Sequence, residues 1–225
     1  SLIRSAWAGV PASTIKPLLA MVVMDQVAPE AAMRATAANT DVECSCVGLV
    51  PGAVYTARQL LDALLMVSGN DAANALADMV GGYRVAVQKM NFKAAQLGAR
   101  NTRAGSPSGL DGPGWESVTT AHDLAVIYRA ALNYPLFTQI IHQSTAAFPD
   151  GRGGVKQIAS HDDLLPDYPG FIGGKTGYTN LAKETYVAMA QRGGTRLVAV
   201  MMYGSDDLWD QGRALLDWGF SQSGQ

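Results

Sequence analysis

The sequence predicts an α+β fold: an antiparallel sheet flanked by helices, with a mostly helical lobe inserted into it. Two observations lead there. Apolar residues recur at helical spacing through the middle of the chain, most plainly Leu60, Leu61, Leu64 and Leu65. The last third changes character: residues 171–179, 184–190 and 195–203 read as strands, the latter two joined by Arg192-Gly193-Gly194, and residues 208–220 read as a closing amphipathic helix. Helices followed by such a sheet argue for α+β. A chain of 225 residues suits a single domain. Its two lobes are expected to be residues 1–28 with 171–225 (sheet and helix) and residues 29–170 (mostly helical).

In chain order, residues 1–12 hold at most one strand. From Ser13 the run Leu18-Leu19-Ala20-Met21-Val22-Val23-Met24 is long enough for a buried helix. Pro17 lacks a backbone N–H and fits that helix only if it starts at about Ser13. Residues 28–55 carry Pro29, Gly48, Pro51 and Gly52 without a helical period, which predicts short strands and turns. Thr56 with Gln59 forms a capping box that opens the Leu60–Leu65 helix. Ser68-Gly69-Asn70-Asp71 interrupts it, and a second helix runs through Leu76 and Met79 to Gly81-Gly82. Such a corner pushes Ser68 and Asn70 outward. A further helix spans about 84–97 and stops at Gly98. Residues 106–114 are a turn-rich loop with Pro107, Gly109 and Pro113. Thr120 caps a helix that carries Asp123, Ile127 and Leu132 up to Pro135. Residues 138–170 are read as a loosely patterned connection with a hairpin or turn at Asp150-Gly151-Arg152-Gly153-Gly154.

Composition excludes several classes of function. The net charge of −2 and the absence of Lys/Arg runs give no electrostatic basis for binding nucleic acid. Apolar runs such as residues 197–202 are far too short to span a bilayer. The chain begins at Ser1 with no visible signal segment, which says nothing of where the protein resides. Cys44 and Cys46 are the only cysteines; one residue apart, they would close a tiny strained ring, so two free thiols are expected. No further ligands stand at zinc spacing near them, and His122, His142 and His161 lie far apart, so no metal and no cofactor is expected. Asp111 and Asp123 read as turn and capping groups.

Chemistry enters with Ser13-Thr14-Ile15-Lys16. On a helix, positions i and i+3 share a face, and a neutral lysine amine can take the serine proton. Gly173-Gly174-Lys175-Thr176-Gly177 invites a phosphate-loop reading. It fails, because Pro169 stands where that loop needs a glycine and strand-like residues follow. On an edge strand, Lys175 and Thr176 can instead hold a carboxylate while Gly177 admits a close backbone.

Ser-x-x-Lys (Ser13, Lys16), Ser-x-Asn (Ser68, Asn70) and Lys-Thr-Gly (Lys175, Thr176, Gly177), in that order, make up the three-part signature of penicillin-recognising serine acyltransferases. With Ser68-Gly69-Asn70-Asp71-Ala72-Ala73, the 107–114 loop, Thr120-Ala121-His122-Asp123-Leu124 and the stretches around Tyr168 and Tyr178, the chain resembles the low-molecular-mass penicillin-binding proteins. These are D-alanyl-D-alanine carboxypeptidases of serine type, and the actinobacterial members look most similar. The likeness runs from Pro11 to Phe220. The chain departs from the family pattern at Pro17, at Ser160 and Asp162, and in having 12 residues before Ser13, which implies either an incomplete sheet or N-terminal strands that lie outside this chain.

The resemblance implies that Ser13 attacks the carbonyl between two D-alanines, with Lys16 as general base. Ser68 would relay a proton to the leaving amine, and Asn70 would position Lys16 and the substrate amide. Lys175 and Thr176 would hold the terminal carboxylate beside Gly177, with the N–H groups of Ser13 and Tyr178 as the oxyanion hole. The implied partners are peptidoglycan stems ending in D-Ala-D-Ala and β-lactam antibiotics. The implied location is extracytoplasmic, with membrane association only through segments outside this chain. A serine β-lactamase is the nearest alternative; Gly69 in the middle of Ser-x-Asn, and Glu116 as the one central glutamate, argue against it. A non-catalytic β-lactam sensor or wall-binding module is the other, set against an intact Ser13, Lys16, Ser68 and Lys175. Endopeptidase or transpeptidase action stays open.

Overall fold

The computed structural model describes residues 6–204 and 207–222. The first five residues of the stretch read as at most one strand lie outside them. Chain order is β1 (Ala8–Gly9), a 3-10 turn (Ala12–Ile15), α1 (Lys16–Gln26), β2 (Ala32–Arg34), α2 (Ala37–Thr40), β3 (Val54–Thr56), α3 (Ala57–Met66), α4 (Asn70–Met79) and α5 (Tyr83–Leu97). There follow β4 (Thr119–Thr120), α6 (Ala121–Ala131), α7 (Pro135–Ile141), the hairpin β5 (Thr145–Pro149) and β6 (Val155–Ala159), then β7 (Phe171–Thr179), β8 (Lys183–Arg192), β9 (Thr195–Gly204) and α8 (Leu208–Gln222). The α+β expectation holds: β7, β8 and β9 form an antiparallel sheet in that order, so β7 is an edge.

Helix α1 is the centre of the molecule. Every residue from Lys16 to Val23 is buried, so it has no polar face, as its unbroken apolar run demands. Helices α3, α4, α5 and α6 pack around it. One apolar core joins α1 to the helices and to Val187 and Met189 of the sheet. A smaller core lies on the other sheet face, where Tyr186, Ala188 and Ala190 meet Leu208 and Leu216 of α8.

Local signals place most elements. The Thr56–Gln59 capping box is formed in both directions, and the Thr120 hydroxyl accepts the Asp123 N–H. Three expectations need correction. The α-helix starts at Lys16, not Ser13; a 3-10 turn precedes it, and Pro17 falls in the first α turn, where its missing N–H has no partner to lose. Residues 135–141 form α7 within what reads as a break and a loose connection. Pro135, taken as a stop, is instead the first residue of that helix, a place its fixed φ suits. Cys44 and Cys46 are not free thiols but a disulfide; the loop bends there until their Cα atoms are 4.8 Å apart, within reach of a bridge.

Candidate active site

The 3-10 turn builds the site. With 3.0 residues per turn, positions i and i+3 are directly superposed, so Lys16 Nζ stands 2.7 Å from Ser13 Oγ. The turn is anchored from two sides: Thr185 donates its hydroxyl to Pro11 O (2.9 Å) and Tyr128 donates to Thr14 O (2.9 Å). Ala12 takes a left-handed φ of 50° at its start. The 106–114 loop presses on this turn so tightly that a Cβ at Gly109 would lie 2.0 Å from Ala12 O.

The corner between α3 and α4 brings in the second pair. Ser68 has φ 61°, a conformation that turns its hydroxyl out of the helical path. Lys16 Nζ lies 3.3 Å from Ser68 Oγ and 2.8 Å from Asn70 Oδ1. The orientation of the Asn70 amide is fixed from behind, where Nδ2 donates to Glu43 O at 2.7 Å; the Asn70 main-chain N–H, donating to Ser45 O at 2.6 Å, anchors its backbone.

Edge strand β7 supplies the third part. Lys175 reaches inward and donates to Ser68 Oγ (2.8 Å) and Thr176 O (2.7 Å). Two residues on, a Cβ at Gly177 would sit 2.8 Å from the Ser13 nitrogen, so only glycine lets the strand run this close to the turn. Tyr178 is exposed beside it. Ser13, Ser68, Asn70, Thr176, Gly177 and Tyr178 all face one cleft of about 270 Å3. Lys16 and Lys175 are buried behind it, in contact with its Ser13 and Ser68 hydroxyls.

Electrostatics differentiates the two lysines. Burial pushes Lys16 well below its usual range, the Lys175 cation pushes it further, and the Asp71 carboxylate opposes both. Burial also lowers Lys175, to about 7, against the pull of Asp162. A neutral amine beside Ser13 and a buried cation beside Ser68 is an arrangement fit for deprotonating a hydroxyl and holding an anion.

To the other contributors the sequence assigns no role at the site. Buried Asp71 accepts the N–H groups of Val47 (3.0 Å), Gly48 (2.9 Å) and Leu49 (2.9 Å), and so clamps the loop bearing Glu43, Cys44 and Ser45 onto the cleft. His161, exposed on its open side, lines the cleft, with its pKa lowered by desolvation and then by Lys175. Behind β7, Asp162 takes the Tyr186 hydroxyl on Oδ1 (2.8 Å) while its buried Oδ2 has no partner among the described residues. Asp111 accepts the Thr179 hydroxyl at 2.6 Å, tying the 106–114 loop to β7. Glu116 accepts the Gly114 N–H within its own turn and does not line the cleft. Among the described residues, no cluster of His, Cys, Asp or Glu could hold a metal ion.

The family model for D-alanyl-D-alanine carboxypeptidase matches residues 10–206. D-alanyl-D-alanine carboxypeptidase DacB2 of Mycobacterium tuberculosis is 56% identical over 220 residues, covering 96% of this chain and 75% of the relative. DacF of Bacillus subtilis is 30% identical over 94% of this chain, which spans only 56% of that longer relative. A crystal structure of a D-alanyl-D-alanine carboxypeptidase from M. tuberculosis H37Rv superposes with a TM-score of 0.93 at 55% identity, covering 96% of this chain and 84% of that one. The Streptomyces K15 DD-transpeptidase gives 0.87 at 28% identity, covering 96% and 90%.

Proposed function

This chain belongs to the D-alanyl-D-alanine carboxypeptidase family and is a D-alanyl-D-alanine carboxypeptidase, and on that premise we propose that it hydrolyses the last peptide bond of peptidoglycan stems through an acyl-enzyme on Ser13. The observation that carries this reading is the 2.7 Å contact between Ser13 Oγ and a buried amine held below its usual pKa. Neutral Lys16 takes the Ser13 proton as Oγ attacks the carbonyl between the two D-alanines. Negative charge builds on the carbonyl oxygen, where the N–H groups of Ser13 and Tyr178 receive it.

As the C–N bond breaks, the departing amine needs a proton. Ser68, in contact with both lysines, hands over its own and is resupplied from Lys16. Asn70 keeps Lys16 aimed, and Lys175 with Thr176 holds the substrate's terminal carboxylate while Gly177 admits its backbone. Water then attacks the Ser13 ester, Lys16 again taking the proton, and the shortened stem leaves. β-Lactams acylate the same hydroxyl and inhibit by leaving it slowly.

The cleft draws residues from both proposed lobes, 1–28 with 171–225 and 29–170; the division is part of this reading. So is an extracytoplasmic site of action, since peptidoglycan lies outside the membrane. Among the described residues, no helix is long and apolar enough to cross one. The position of Glu116 outside the cleft weighs against a β-lactamase that deacylates through a glutamate.

The test is incubation with a labelled penicillin and mass spectrometry of the modified peptide, alongside D-alanine release from diacetyl-Lys-D-Ala-D-Ala. An adduct on Ser13 and free D-alanine, both lost in Ser13→Ala, are expected. Rapid penicillin turnover would indicate a β-lactamase, and a lasting adduct without D-alanine release a sensor. No adduct on Ser13 would overturn the mechanism.

A further inference from the structure

Asn70 can serve Lys16 only if its amide faces one way, because Oδ1 accepts and Nδ2 donates. What sets that orientation is the Glu43 carbonyl, which accepts from Nδ2 at 2.7 Å, while the Ser45 carbonyl holds the Asn70 backbone, accepting its main-chain N–H at 2.6 Å. Both belong to a segment without regular secondary structure. Its downstream half is clamped by Asp71 at Val47, Gly48 and Leu49. Upstream, Cys44 and Cys46 are bonded to each other, enclosing Ser45 in a small covalent ring and adjoining Glu43. The Ser45 hydroxyl adds one contact to Val67 O at 3.3 Å. Cys44 itself is exposed and lines the cleft, within reach of a reagent from solvent.

We propose that the Cys44–Cys46 disulfide is a positioning element of the reaction: it holds the Glu43 and Ser45 carbonyls that aim Asn70 at Lys16, and its reduction slows acylation of Ser13. The inference rests on the catalytic reading above. Reduction is a two-electron exchange with a dithiol. One thiolate of the reductant attacks a cysteine sulfur and breaks the Sγ–Sγ bond; its second thiol resolves the mixed disulfide. Cys44 and Cys46 end as thiols, having gained two electrons and two protons, and the reductant ends as a disulfide. Freed of the ring, residues 44–46 and the adjoining Glu43 carbonyl regain torsional freedom, and Asn70 loses the fixed carbonyls that orient its amide and hold its backbone.

The experiment compares the acylation rate of the whole chain by a fluorescent penicillin before and after treatment with dithiothreitol, with the thiol count read by mass spectrometry. A Cys44→Ser/Cys46→Ser variant provides the open loop without reductant. We expect roughly tenfold slower acylation in both, less than the about 10²-fold that a 1 Å misplacement costs, and recovery when the reduced protein is reoxidised.

The same comparison in Asn70→Ala separates positioning from general support. Because the effect runs through Asn70, reduction should change that variant's rate less than twofold, as coupled residues are non-additive. Equal rates for the oxidised and fully reduced protein would overturn the proposal. So would an equal slowing in Asn70→Ala, which would make the disulfide a general brace. Failure of the catalytic reading itself is seen earlier, as absence of any Ser13 adduct in the oxidised protein.

Discussion

Lys16 and Lys175 meet on one hydroxyl: their Nζ atoms stand 3.3 and 2.8 Å from Ser68 Oγ. Two buried ammonium groups this close repel, and neither is well solvated, so protonation of one opposes protonation of the other. Asp162 steadies the charge on Lys175, whereas Lys16 is pushed down by burial and by the Lys175 charge together. The division of labour between base and anion holder follows from that asymmetry.

The pH profile should reflect it. Lys175 must be charged to draw a carboxylate, and in the free enzyme it titrates at about 7. The value of kcat/KM for a D-Ala-D-Ala peptide is therefore expected to fall as pH rises past about 7. A bound carboxylate keeps the lysine protonated, so the fall in kcat should come at higher pH. Rates measured from pH 5 to 10 check this, and coincident limbs would refute it.

Replacing the carboxylate holder should separate substrates by their terminus. Lys175→Gln is expected to lower kcat/KM by about 10- to 100-fold for a peptide with a free terminal carboxylate, the worth of a hydrogen bond to a charged group. The same peptide carrying a terminal amide should lose less than about threefold. Equal losses for both would remove Lys175 from carboxylate binding.

Asp162 offers a stability test. Burial raises its carboxyl to about 6, above the ordinary 3.8, so the folded state binds the proton more tightly than the unfolded chain does. That contribution is complete below the ordinary value and is lost as pH rises through about 6. The melting temperature of Asp162→Asn relative to the parent should accordingly rise between pH 5 and pH 8. A difference independent of pH would contradict the assignment. Removing this anion should also move the alkaline limb assigned to Lys175 to lower pH.

Asp71→Ala leaves three backbone N–H groups of the 47–49 segment without their acceptor. Each unpartnered buried donor costs about 1–3 kcal/mol, so a loss of at least about 2 kcal/mol in urea unfolding is expected. Penicillin acylation should slow as well, because the same loop carries the Glu43 and Ser45 carbonyls. A variant as stable as the parent would show that the clamp is dispensable.

Gly109→Ala tests how the turn bearing Ser13 is seated. The added Cβ would lie 2.0 Å from Ala12 O, at a φ of 86° that L-residues seldom adopt. The turn must shift, and a displacement of about 1 Å at the nucleophile should slow acylation about 10²-fold. Unchanged acylation would mean the 106–114 loop yields instead.

Local structure was legible in the residues alone: helices and strands written in short-range spacing, and the three pieces of the site. Ser13 and Lys16 are three residues apart on one turn, Ser68 and Asn70 share a helix corner, and Lys175 to Gly177 lie on one strand. That these pieces meet follows from long-range packing, since Ser68 and Lys175 are 107 residues apart and no local rule joins them. That packing also decided where Pro135 belongs, because a proline before a helix and a proline after one look alike until packing selects. The lowered pKa values of Lys16 and Lys175 arise from burial, which is a property of the assembled core. The cysteines show the limit most clearly. An extended chain holds residues two apart at about 7 Å, and only a bent loop gripped by Asp71 and Asn70 brings Cys44 and Cys46 to 4.8 Å, close enough to bond.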